Sequence, residues 1–176
     1  PEAKVLQGLF KVVESIFKVH VRKTQAPVWH TDASFYEIRD QQQQLIGQFY
    51  LDLYARNNKR GGAWMSAFRT QQKLEGNIRP IIVNVLNVAK PASGDDPLLS
   101  LDEARTLFHE FGHALHGMLS DVTYPSLAGT SVSTDFVELP SQLYEHWLLQ
   151  PEVLSRFARH YETGEPIPDA LIQKLK

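Results

Sequence analysis

The sequence has 176 residues, 43% of them hydrophobic and 22% charged, with a net charge of −2. This fits one folded domain or a large piece of one, and it leaves no electrostatic footprint for nucleic acid or an anionic membrane. No apolar run reaches the length of a membrane-crossing helix, and the absence of cysteine excludes disulfides and thiolate metal sites together.

The chain starts at Pro1, without a signal-peptide pattern. Val5, Leu9, Val12, Val13 and Ile16 recur at helical spacing. Phe17 to Lys23 then alternates with period two and predicts a strand. Ala33 to Arg39 and Leu45 to Tyr54 are further predicted strands, and Asn57 to Gly62 is a turn. Ile78 to Val88 is rich in β-branched residues and holds Pro80, so it predicts a strand with an irregular start. Pro91 to Pro97 reads as a loop. From Ser100 onward the pattern is helical. The expected class is α+β, mainly α: a helix and a small antiparallel sheet over about residues 1–99, then helices over about 100–176. The last residues, Leu171 to Lys176, read as a helix without a stop signal, so the whole reads as a piece of a longer protein.

Ser100-Leu101-Asp102-Glu103 is a capping box that starts a helix. Leu101, Ala104, Leu107, Phe108, Phe111, Ala114, Leu115 and Met118 form its apolar stripe. His109 and His113 lie one turn apart on another face, so both imidazoles can reach one ion. Glu110 is rotated away from them. It is therefore read as a base that takes a proton from a metal-activated water, not as a ligand. Without cysteine, any metal must be held by histidine and carboxylate, and a catalytic zinc takes three protein ligands. The pattern with glycine three and histidine six positions beyond the second ligand is excluded, because His116 and Leu119 occupy those places. The remaining choice is a carboxylate from a second helix, whose apolar face is predicted as Phe136, Leu139, Leu143 and Trp147. On spacing alone Glu138, Glu145 and Asp135 all compete for the third position.

The stretch Phe108-His109-Glu110-Phe111-Gly112-His113-Ala114-Leu115-His116-Gly117 resembles the zinc helix of the thimet oligopeptidase family. Asp135-Phe136-Val137-Glu138-Leu139-Pro140-Ser141-Gln142 resembles that family's second zinc segment. Gly61 to Met65, Gly129 to Ser131, Glu145 to Trp147 and Ala158 to Tyr161 are similar to its peptidyl-dipeptidase branch. The resemblance covers essentially the whole chain. It implies one zinc ion per chain, held by His109, His113 and Glu138, with Glu110 as base. It implies short peptides as substrates, with release of C-terminal dipeptides, and internal cleavage as the rival activity. It also implies that these residues are the central part of one catalytic domain. The family's substrate-stabilising tyrosine and histidine come from a downstream segment, so the alternative to an active enzyme is a zinc-binding or scaffolding fragment without turnover of its own.

Weaker candidates complete the reading. Gly62, Ala63 and Trp64 form an extended segment that can pair with a substrate backbone, or a glycine-rich hairpin followed by a buried tryptophan. Gly129 and Thr130 belong to a loop over the substrate, or to a plain connector. Asp135, Gln142 and Glu145 are candidate outer-shell acceptors for the histidines. Gly112 allows close approach of a helix or a substrate. Arg56, Lys59 and Arg60 form a basic cluster. The composition fits a reducing, cytoplasmic setting. The faces that a larger enzyme would cover are candidates for self-association.

Overall fold

The computed structural model describes residues 1–92 and 94–175; Ser93, in the expected 91–97 loop, and Lys176 lie outside the described residues. Helix α1 (Glu2–Phe17) leads into strands β1 (His20–Thr24), β2 (Ala33–Arg39), β3 (Leu45–Tyr54), β4 (Trp64–Arg69) and β5 (Ile81–Val88). The second half is helical: α2 (Leu101–Met118), a 3-10 turn at Pro125–Leu127, α3 (Thr134–Val137), α4 (Leu139–Leu148), α5 (Pro151–Phe157) and α6 (Asp169–Leu175). The α+β class therefore holds. Among the described residues no helix is long and apolar enough to cross a membrane.

The sheet differs from expectation. It is mixed, not antiparallel, with strand order β1-β2-β3-β5-β4. β5 pairs parallel with β3 and antiparallel with β4. The chain leaves β3, runs out to the edge as β4, and returns as β5 between the two. β5 signals this place by being apolar on both faces, as a central strand with a parallel neighbour must be. Near the start, Phe17 ends α1 instead of opening a strand, and Lys18 reverses the chain in the left-handed region at φ 55°.

α2 lies across the sheet, packed against β3, β4 and β5. Its capping box forms as predicted: Ser100 Oγ accepts from Glu103 N–H at 3.1 Å, and Ser100 N–H donates to Glu103 Oε2 at 2.8 Å. Leu107, Phe108, Phe111, Ala114 and Met118 are all fully buried. Phe111 meets Phe49 of β3 edge-on at 5.1 Å and Phe10 of α1 at 5.7 Å. Each such side chain contributes about 1.5–3 kcal/mol by leaving water, so the stripe fixes how α2 is rotated. The rotation brings Nε2 of His109 and of His113 to Glu138, at the start of α4.

The second helical segment is broken. α3 ends at Val137, Glu138 is the junction, and Pro140 sits in the first turn of α4. A proline there costs nothing, because that N–H has no partner in a helix, but its ring forbids a continuous helix through Phe136. The predicted apolar face also points the other way. Phe136, Leu139, Leu143 and Trp147 are 46%, 54%, 60% and 37% exposed, while Ser141, Tyr144 and Leu148 face α2. The inward face is short but apolar for most of its length: Tyr144 packs on Phe108 and Phe111, Leu148 joins the core, and Ser141 is small enough for the close approach to Gly112.

Candidate metal centre

Nε2 of His109 and Nε2 of His113 lie 3.2 and 3.1 Å from the same oxygen, Glu138 Oε2. The two rings stand edge to face at 4.9 Å. Among the described residues, His109, His113 and Glu138 form the one group of three or more such side chains able to share a metal ion. Donor atoms at neighbouring corners of a tetrahedral zinc site are about 3.3–3.5 Å apart, given bonds of about 2.0–2.2 Å. The two nitrogen–oxygen spacings of 3.2 and 3.1 Å are close to that value, and all three donor atoms lie within 4.8 Å of one another.

The approach of the two helices depends on Gly112. A Cβ at this position would stand 2.6 Å from Ser141 Cα and 2.9 Å from the Pro140 carbonyl oxygen. The glycine thus lets α4 press directly on the backbone of α2, one residue before His113 and within reach of Glu138. Of the two uses considered for Gly112, close helix packing is the observed one.

Charge states suit the donor set. Burial pushes the His113 imidazole below its ordinary pKa, which favours the neutral ring that binds metal. The Ser141 hydroxyl, with help from both histidines against burial, holds Glu138 below its usual range, so it stays an anion. Burial raises the Glu110 carboxyl, opposed by His109 and reinforced by Glu138. Glu110 is therefore electrostatically coupled to the cluster without being one of its three members, and a raised pKa makes it a better proton acceptor. The Glu138 side chain is 49% exposed against 25% and 12% for the histidines, so the group opens to solvent on its Glu138 side.

Of the outer-shell candidates, Glu145 reaches the site: its Oε1 is 2.6 Å from His109 Nδ1. That contact puts Glu145 on the His109 ring nitrogen that does not meet Glu138, outside the group of three. Asp135 is exposed on α3 and outside the group. Gln142 is exposed, and its backbone oxygen serves His146. Ser141 is a neighbour of the group that the sequence reading did not single out. Its Oγ lies 2.8 Å from both Oε2 and the backbone oxygen of Glu138. The available signal was its spacing of three from Glu138 in a helical segment.

The weaker candidates fall into place more loosely. Gly62 has φ 93° and lies, with Gly61, in open space. Ala63 and Trp64 lead into β4, which is an edge strand. Trp64 is half-buried under the Arg60 guanidinium at 5.0 Å, not buried. Gly129 is pinned: its N–H donates to Ser120 Oγ at 2.7 Å, and a Cβ would meet Gly117 Cα at 2.9 Å. Thr130 lines a hollow of about 70 Å³ with Met65, Ala67 and Gly117, so this loop runs beside β4. Arg56 and Lys59 are both engaged by the buried Asp52, at 2.6 and 3.0 Å.

His109 and His113 from α2 and Glu138 from the junction of α3 and α4 are donors that one metal ion can share, and Glu110 stands next to the first histidine in sequence. The sequence matches the Peptidase family M3 model over residues 1–176, and the chain belongs to that family. It is 45% identical over 179 residues to oligopeptidase A of Escherichia coli K12, a match covering 99% of this chain and 26% of that one. It is 44% identical over 171 residues to dipeptidyl carboxypeptidase of the same organism, covering 97% and 25%. It is 38% identical over 181 residues to the organellar oligopeptidase A of Arabidopsis thaliana, covering 98% and 23%. The chain spans about a quarter of the length of these curated relatives.

Proposed function

We propose that the chain carries the metal-binding and general-base residues of a zinc-dependent peptidase acting on short peptides, as the central part of its catalytic domain. The observation that carries this reading is the convergence of the His109 and His113 Nε2 atoms on one Glu138 oxygen. His109, His113 and Glu138 hold the ion, one per chain. When bound, zinc supplies a Lewis acid for the scissile carbonyl and acidifies the attacking water.

The chain's own groups do the rest. Glu110 accepts the water proton on its carboxylate and passes it to the leaving nitrogen. Glu145 keeps the proton of His109 on Nδ1, so that Nε2 remains free. β4 offers an unpaired backbone edge, and the open space at Gly61 and Gly62 admits a peptide running beside Ala63 and Trp64 as an added strand. Gly129 and Thr130 border the same strand. The expected experiment in the complete enzyme is Glu110→Gln, which retains zinc and loses hydrolysis. Retained hydrolysis would remove Glu110 from the mechanism.

Release of C-terminal dipeptides is the specific reaction in this reading. Internal cleavage is the second, since a relative named oligopeptidase A is 45% identical beside 44% for the one named dipeptidyl carboxypeptidase. Product masses separate them: successive dipeptide losses support the first, internal fragments the second. A cytoplasmic setting belongs to the proposal on the cysteine-free composition.

A further inference from the structure

β5 turns one polar side chain towards α2. Ile82, Leu86 and Val88 share a face of the strand and belong to the hydrophobic core. Asn84 stands among them, fully buried. A buried amide costs free energy unless its polar atoms are paired, and here only half of it is. Nδ2 donates to the backbone oxygen of Glu110 at 2.8 Å, while Oδ1 is buried without a partner.

One helical turn beyond Glu110, Nδ1 of His113 is also buried without a partner. The two orphans are complementary. When Nε2 of His113 holds a cation, the ring proton resides on Nδ1, and a buried N–H needs an acceptor. Asn84 Oδ1 is an acceptor that needs a donor. The other histidine of the site already has its acceptor in Glu145.

We propose that Asn84 is a positioning residue of the metal centre: its amide anchors the Glu110 carbonyl, and its Oδ1 receives the His113 Nδ1 proton through one buried water. A water held between a donor and an acceptor has the two polar partners it requires. The inference rests on the metal-centre reading above and deepens it. Asn84 acts on the ligand, not on the substrate.

The test measures zinc affinity of the full chain by chelator competition, for wild type, Asn84→Leu and Asn84→Asp. Circular dichroism checks that each variant folds. Leucine keeps the volume and removes both polar atoms; aspartate keeps an acceptor and removes the donor. The expected result is a loss of about 10- to 100-fold for leucine, with aspartate binding zinc more tightly than leucine. A purely structural Asn84 predicts the reverse order, because a buried carboxylate facing the Glu110 carbonyl harms the fold more than leucine does. Wild-type affinity in the leucine variant, or weaker binding by aspartate than by leucine, overturns the proposal. Should the leucine variant not fold, heteronuclear NMR of the zinc-loaded wild type decides. A slowly exchanging His113 Nδ1 proton with a cross-peak to the Asn84 side chain or to a bound water is expected, and a freely exchanging proton overturns it. A wild type that takes up no zinc defeats the metal-centre reading itself and is recognised as such.

Discussion

Nδ1 of His109 lies 2.6 Å from Oε1 of Glu145, a residue one turn further along α4 than the Ser141 that steadies Glu138. In the proposed centre, α4 and the junction before it thus supply both a ligand, Glu138, and the group that orients another, Glu145 on His109. Two α2 histidines and one α4 face form a unit whose parts hold each other in register. Removing Glu145 is expected to weaken zinc binding by about 10- to 100-fold while leaving the fold intact. Zinc competition on Glu145→Ala checks it. Unchanged affinity would reduce the contact to a surface ion pair.

The crossing at Gly112 predicts a coupled loss. In Gly112→Ala the new methyl would overlap the Ser141 backbone, so α4 must move away. The cost is about 1–3 kcal/mol of stability, read as a lower Tm. Zinc affinity should fall in the same variant, because Glu138 moves with the helix. A stable Gly112→Ala chain with normal affinity would show that the two helices have slack.

Asp52 gives a pH dependence away from the metal centre. Burial alone would raise its carboxyl, but hydrogen bonds from Arg56, Trp29 and Lys59 outweigh burial and hold it well below the usual carboxylate range. A depressed folded-state pKa contributes stability above the unfolded value of about 3.9 and loses it as pH falls below that. Asp52→Asn should therefore be less stable than wild type by about 3 kcal/mol near neutrality, with a constant gap down to about pH 5 and a shrinking one below about pH 4. Denaturant melts across that range provide the measurement; a gap unchanged at acid pH contradicts the assignment.

The outward stripe of α4 predicts self-association of these residues in isolation. Leu143 and Trp147 line an apolar cavity of about 600 Å³ with Leu115, Leu119 and Leu127. Replacing Leu143 and Trp147 together by serine should convert associated chain to monomer in light scattering. The fold should lose less than from a core substitution, since Leu143 is 60% and Trp147 37% exposed. A clean monomer in the unaltered chain would refute the idea.

The sequence revealed α2 almost completely, because capping, stripe and histidine spacing are all local signals. It revealed β2 and β3 to the residue for the same reason. It missed the parallel pairing of β5, which depends on the path of β4 and not on any local pattern. It also reversed α4. The apolar spacing of Phe136, Leu139, Leu143 and Trp147 is real, but packing on α2 uses the shorter stripe of Ser141, Tyr144 and Leu148, with Gly112 setting the approach. Spacing favoured Glu138 over Glu145 and Asp135 only modestly and family resemblance did the rest, because spacing cannot show which carboxylate a broken helix turns inward. Asn84 was invisible in the sequence: its meaning is a hydrogen bond to a helix carbonyl across the core.

The central claim is that His109, His113 and Glu138 form one metal centre. Metal content of the purified chain, measured beside Glu138→Ala, tests it most directly. The account predicts one zinc per chain, weakened or lost in the variant. A wild-type chain that takes up no zinc when supplied with it, or a variant that binds as tightly as wild type, would contradict it.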